Sequence, residues 1–288
     1  MKTNSTLVSD VYEVLQSHRP AEGVDVEQVI KEMQEEMGQI IRDSLTPRDN
    51  KRGLRLSAIG KPDRQIYKSV KDDGPGEIFD GNTLLKFTYG HLTEALVLAY
   101  VKLAGHGVTD QQKVCHVRGV KGHMDCKING ILVDVKSASS YGFKKFKERR
   151  VVSDDPFGYV AQIKAYAHSE GERKFAWLAF DKALGHLSYT EYDMDDTSDP
   201  DHKALSWDVE ERVEHLKKLV GAEEMPELCY QPVPDGKSGN LKLAMGCSYC
   251  SYKHDCWPGL RTFLYSSGPR YLTHVNTTPK VVEEEEGF

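Results

Sequence analysis

The pair Asn129-Gly130 constrains this chain more than any other two residues. Both tolerate the left-handed backbone that a two-residue turn demands, and alternating apolar residues lie on each side, so the pair predicts a tight β-hairpin. A two-residue turn sets register. Ile128 then opposes Ile131, Cys126 opposes Val133 and Met124 opposes Val135, which puts these six on one apolar face. On the other face Asp125 falls across from Asp134, and His123 across from Lys136.

Two carboxylates facing each other across a ladder repel, a pairing that a hairpin built only for folding would avoid. A hard divalent cation between them removes the repulsion, because Mg²⁺ takes oxygen ligands from carboxylates and phosphate. Lys136 projects to the same side, where its ammonium could orient a water or stabilise charge building on a phosphate. The plain alternative is a solvent face on which these four residues happen to fall.

Predicted helices on either side offer partners. Residues 84–103 read as a helix whose buried side is Leu92, Ala95, Leu96, Ala99 and Leu103. On it His91 and Glu94 are three apart and share a face. Glu94 is a candidate third carboxylate ligand, and His91 a ligand or phosphate contact. In a helix over residues 156–168, Gln162 and Tyr166 are four apart, an amide and a phenol that could orient substrate, although Tyr166 alone reads as core. Between these elements, YGFKKFKERR (141–150) interleaves Lys144, Lys145, Lys147, Arg149 and Arg150 with Tyr141, Phe143 and Phe146. Phosphates could meet the charges while a base stacks on a ring. A solvated amphipathic helix is the alternative.

Residues 175–180 and 187–192 read as further strands and 205–220 as a helix, which makes the core α/β or α+β. Residues 1–50 read as a helical, acidic appendage, 51–222 as the core, 223–280 as a cysteine-rich segment and 281–288 as an acidic disordered tail. The formal charge of -6 argues against a protein that coats DNA, but an enzyme can grip a few phosphates through a local patch. There is no 18-residue apolar run, so no membrane span is expected. The first residues lack the basic flank and apolar core of a secretory signal, so a cytoplasmic setting is expected. No G-x-x-x-x-G-K-[S/T] loop is present, which argues against ATP-driven translocation by this chain. Cys247-x2-Cys250-x5-Cys256 reads as metal ligation in a reducing compartment rather than as a disulfide framework.

Asp125, then Asp134-x-Lys136, then Gln162-x3-Tyr166, carried by GHLTE, GHMD, DVKS and QIKAY over roughly residues 90–166, resembles the PD-(D/E)xK nuclease superfamily and its RecB-like branch. The resemblance implies a restriction-endonuclease-like mixed sheet flanked by helices, Mg²⁺ or Mn²⁺ in the site, and hydrolysis of DNA phosphodiesters. It implies that Asp125 and Asp134 bind the metal, that Glu94 or His91 completes the site, and that Lys136 is catalytic. Gln162 and Tyr166 would belong to the branch's auxiliary motif. Asp134 stands where the family usually has a longer glutamate.

The C-terminal cysteines resemble the iron–sulfur segment of CRISPR-associated RecB-like exonucleases and of AddB-like helicase–nuclease subunits. Those families take one ligand from upstream of the core. Here the first cysteine is Cys115, inside the predicted sheet, and the upstream segment Gly60-Lys-Pro-Asp-Arg64 carries Pro62 instead. Cys229 is therefore the expected fourth ligand. A Cys₄ set fits zinc as well as a cluster; the resemblance favours [4Fe–4S], with Zn²⁺ as the alternative, stapling the C-terminal segment to the core. The function implied is a phage-type DNA exonuclease of recombination or replication in the host cytoplasm. Phage recombination or replication proteins and a homo-oligomer are the open partners. Two other readings remain: a structure-selective endonuclease using the same centre, and a non-catalytic nucleic-acid-binding or assembly protein with a nuclease fold.

Overall fold

The computed structural model describes residues 2–46, 53–71 and 81–284. In chain order it has helices α1 (Leu7–Ser17), α2 (Val26–Ser44), α3 (Asp63–Lys71) and α4 (Gly81–Leu103). Strands β1 (Val108–Thr109), β2 (Val114–Val117), β3 (Val120–His123), β4 (Cys126–Ile128) and β5 (Ile131–Ala138) follow. Helices α5 (Ser140–Lys147) and α6 (Tyr159–Glu170) precede β6 (Lys174–Asp181) and β7 (Leu187–Asp193). Helices α7 (His202–Leu205) and α8 (Val209–Gly221) lead to β8 (Val233–Pro234) and β9 (Leu241–Lys242). Short α9 (Met245–Ser248) and α10 (Lys253–Cys256) come before β10 (Arg261–Tyr265), β11 (Gly268–His274) and β12 (Val282–Glu284). Asp72 to Asn82, a loop by its Asp, Gly and Pro content, lies outside the described residues as far as residue 80, and its last two residues open α4.

The described residues cluster into two compact units, one within 1–60 and 79–214, the other within 61–78 and 215–288. In the first, Asn129 and Gly130 adopt φ of 50° and 84°, and Cys126 pairs with Val133, Lys127 with Leu132 and Ile128 with Ile131. The expected register holds. The upstream strand is different: a second left-handed pair, Arg118-Gly119, folds β2 and β3 into their own hairpin with His123 opposite Val114. His123 therefore does not face Lys136. The chain leaves β3 at Met124, whose N–H bonds the Lys113 carbonyl at 3.0 Å, and β4 begins only at Cys126.

The main sheet has the order β1-β4-β5-β6-β7 and is mixed, since β5 and β6 are parallel and the other neighbours antiparallel. The crossover from β5 to β6 carries α5 and α6. Leu7 and Val11 of α1 and Val97, Leu98 and Val101 of α4 pack on Cys126, Ile128, Val133 and Val135. Phe146 of α5 packs against Trp177 of β6, beside Phe175 and Tyr192. The result is the expected mixed central sheet flanked by helices.

Helix α1 packs on this core, with Leu7 and Val11 buried in it, each contributing about 1.5–3 kcal/mol by removal from water. One expectation needs correction. On α4 the buried set shifts: Ala95 and Ala99 are buried as expected, with Val97, Leu98 and Val101, whereas Leu96 is 39% exposed. The helix packs against α1, α2 and β5 together, so its buried arc is wider than a single stripe.

The second unit contains an antiparallel sheet of order β12-β10-β11-β9-β8, together with α3. Helix α3 thus clusters with the C-terminal half rather than with the segment in which the sequence places it. Val282–Glu284 pairs with β10, and Glu283 takes both Arg261 nitrogens at 2.6 and 2.7 Å, so this part of the expected disordered tail is a strand. Residues 285–288 lie outside the described residues. Among the described residues no helix is long and apolar enough to cross a membrane.

Candidate active site

The hairpin brings its carboxylates together as the register requires, with one refinement. Asp125 sits just before β4, beyond the last ladder pair, and its Oδ2 accepts the Val135 N–H at 2.7 Å. A side chain therefore takes the hydrogen bond that a longer strand would have made. Asp134, in mid-strand, is only 1% exposed. Lys136 Nζ donates to Asp134 Oδ1 at 2.9 Å and lies 2.7 Å from Oδ2, close enough for an ion pair. The angle at Oδ2 is not that of a hydrogen bond, which leaves that buried oxygen without a donor.

Glu94 on α4 joins the group from another element. Burial, then the charge of Asp134, pushes its pKa up to about 7. Burial also drives Asp125 well above the usual carboxylate range, with Asp134 and Glu94 adding to the shift. For Lys136 burial favours proton loss, but Asp134 and Asp125 outweigh it and hold the ammonium firmly protonated. Each carboxylate thus raises the cost of ionising the next, and Lys136 is the compensating charge within the group.

Two residues that no motif singled out complete the geometry. Gln112, with φ of 52°, donates its backbone N–H to the Asp125 carbonyl and its side-chain Nε2 to Glu94 Oε1, each at 2.9 Å. Tyr159 opens α6 with its ring 5.0 Å from Lys136 Nζ, and Phe146 and Phe157 pack around it. Neither residue carries a sequence signal, since each acts through contacts between distant segments.

Gln162 Nε2 donates to Tyr166 Oη at 3.3 Å on the same helix. Tyr166 is 1% exposed, and a β-carbon at Gly122 would lie 2.7 Å from its ring, so its body is part of the core. Its hydroxyl end still feels the charges of Asp134 and Asp125. His91 is exposed on α4, one turn before Glu94.

The basic segment divides. Phe143 is 4% exposed and faces the core, so it is unavailable to stack on a base, contrary to expectation. Arg149 is also committed: it pairs with Asp199 at 2.5 Å, donates to the Glu191 carbonyl at 2.9 Å and lies over the Tyr192 ring at 3.9 Å. Lys145 pairs with Asp154 and Arg150 with Glu148. Tyr141, Lys144 and Lys147 are exposed on α5 and form the part of the segment turned to solvent.

Mutually repelling, buried and half-buried carboxylates suit a hard cation in charge and donor type. As arranged, however, no three His, Cys, Asp or Glu side chains among the described residues converge as a ready ligand set.

In the other unit Cys229, Cys247, Cys250 and Cys256 line one cavity, and none of them is in a disulfide. Arg64 and Lys68 of α3 line it too, so the upstream segment without a cysteine does reach the cysteines and brings cations instead. Burial, then Cys229, Cys250 and Cys256, pushes the Cys247 thiol up to about 11. Trp257 lies near enough to Cys247 to draw that value down, yet its Nε1 is not in hydrogen-bond geometry. Trp257 Nε1 and Arg64 Nε are both buried donors without a partner. Four thiols lining one cavity with the residues that carry these donors fit an anionic metal–thiolate group in charge and donor type.

No family model matches the chain, and no curated protein matches it. Solved structures do match in part. An alkaline exonuclease from Laribacter hongkongensis is 14% identical, with 57% of this chain and 91% of that chain covered and a TM-score of 0.35. A phage related exonuclease from Haemophilus somnus 129PT is 13% identical, covering 58% and 92%, with a TM-score of 0.40. Likeness at this level carries no functional argument, and the reading below stands on the site.

Proposed function

We propose that this chain is a Mg²⁺- or Mn²⁺-dependent deoxyribonuclease that hydrolyses phosphodiester bonds from DNA ends. The observation that carries it is the group itself, with half-buried Asp125 and Glu94 and buried Asp134 crowded around one protonated lysine. A hairpin and a helix selected for folding alone would not bring three interacting carboxylates together there. Asp125, Asp134 and Glu94 would hold the cation, which supplies Lewis-acid activation of water and phosphate when bound. Lys136 presents a fixed positive charge to the anionic phosphate and to the charge that grows on it. Asp134 and the Tyr159 ring hold that ammonium in place, Gln112 holds Glu94, and Gln162 holds the Tyr166 hydroxyl. Tyr141, Lys144 and Lys147 offer the exposed cations and ring for DNA backbone and base. Its setting, by the resemblance in the motifs, is end processing in recombination or replication.

The test compares end-labelled linear DNA with covalently closed circles, with and without chelator. Linear DNA should be digested only with the cation present, and closed circles should survive. Efficient cutting of closed circles would move the assignment to an endonuclease. Lys136→Ala should lower the cleavage rate by about 10²–10³-fold with DNA binding retained; cleavage at the wild-type rate overturns the mechanism.

We further infer that the four cysteines hold a [4Fe–4S] cluster. What supports a metal centre is that the four thiols line one cavity; the resemblance in their spacing favours the cluster over one Zn²⁺. A colourless, anaerobically purified protein containing one zinc would overturn this.

A further inference from the structure

Arg64 and Trp257 line the cysteine cavity, and each carries a buried nitrogen that no acceptor in the protein satisfies. Arg64 is tied to the fold through Nη1, which donates to the Pro226 carbonyl at 2.7 Å, but its Nε points to no acceptor. Trp257 Nε1 is likewise unsatisfied. A buried donor without a partner is destabilising, so two around one cavity imply an acceptor that the polypeptide alone does not provide.

The surroundings identify that acceptor. Arg64 acts electrostatically on Cys229, and Trp257 lies against Cys247. Lys68 and Lys253 line the same cavity, so it is rich in positive charge and donors. Neutral thiols and disulfide sulfurs are weak acceptors and would leave both nitrogens unsatisfied. Thiolates bound to a metal group are strong, anionic acceptors, and hydrogen bonds to them tune the group's stability and electronics.

We propose that Arg64 Nε and Trp257 Nε1 are N–H···S donors to the metal-bound thiolates of Cys229 and Cys247, and that they retain the metal group and set its electronic poise. The inference rests on the reading that these cysteines hold a metal. It assigns two non-cysteine residues, one from α3 and one just after α10, as positioning residues of that centre.

The test uses the full chain purified without oxygen, with Trp257→Phe, which keeps a ring and removes the N–H, and Arg64→Lys, which keeps the charge and removes Nε. Metal per chain, the rate of metal loss to excess chelator and the sulfur-to-metal absorption band are measured for each. Both variants should load metal as the wild type does, release it about tenfold faster, and show a displaced band. A band displacement reports the bond itself, because a packing defect distant from sulfur would leave it in place. Wild-type release rates and unshifted bands in both variants overturn this inference alone. A metal-free wild type overturns it together with the reading beneath it. Should Arg64→Lys fold poorly through loss of the Pro226 contact, Trp257→Phe decides.

Discussion

Burial and the neighbouring Asp134 push Glu94 up to about pKa 7, which couples the stability of the metal-free protein to pH. Between its ordinary value of 4.5 and about 7, the folded carboxyl keeps a proton that the unfolded one has lost. The folded state then binds more protons, so stability falls as pH rises through that interval and levels off above it. Asp125, raised by burial and by Asp134 and Glu94, acts with the same sign. In chelator the thermal midpoint of the wild type should therefore decline from pH 5 to 7, and that of Glu94→Gln should decline less. A wild-type midpoint that climbs over this range would contradict the assignment. At Gln112 the prediction concerns positioning. Gln112→Ala removes the 2.9 Å bond to Glu94 and leaves the backbone bond to Asp125. Cleavage should drop about tenfold with little change in melting temperature, and wild-type cleavage would remove Gln112 from the site.

At the scale of elements, the β4–β5 hairpin and the start of α6 place the chemistry. Gly130 turns the hairpin at φ of 84°, where a side chain is strained, so Gly130→Val should cost about 1–2 kcal/mol in chemical denaturation. Because a slipped register would carry Asp134 to the opposite face, cleavage should fall further than stability alone explains. Gly158, φ 80°, caps the start of helix α6, and a β-carbon there would lie 2.6 Å from the Gly60 backbone. Gly158→Ala should therefore destabilise by about 2 kcal/mol or more and displace Tyr159 from Lys136. A melting curve and activity unchanged by Gly158→Ala would show that this close approach is not needed. These two glycines differ in how visible they are. Gly130 announces itself through its Asn-Gly pair, whereas Gly158 acquires its importance only from Gly60, about a hundred residues earlier.

For the whole molecule, the division into two compact units separates the roles of the two candidate metal centres. The carboxylate group lies within one unit and the cysteine cavity within the other. Stripping metal from the cysteines should therefore open residues 215–284 to limited proteolysis while a fragment containing residues 81–214 persists. Simultaneous digestion of both units would argue against a local role for the cysteine centre.

By itself the sequence determined what depends on short separations: the Asn-Gly turn, its register, the side of the strand shared by Asp134 and Lys136, and the helices and strands that make a mixed core. Local backbone preference and two-residue periodicity are enough for those. The tertiary structure alone decided that His123 belongs to another hairpin and that Phe143 and Arg149 are occupied by the fold. It also decided that Gln112 and Tyr159 support the site, and that Arg64 reaches cysteines far along the chain. Those outcomes depend on which distant surfaces exclude water together and which buried donors then lack an acceptor. Packing among remote segments sets both, and no local pattern carries it.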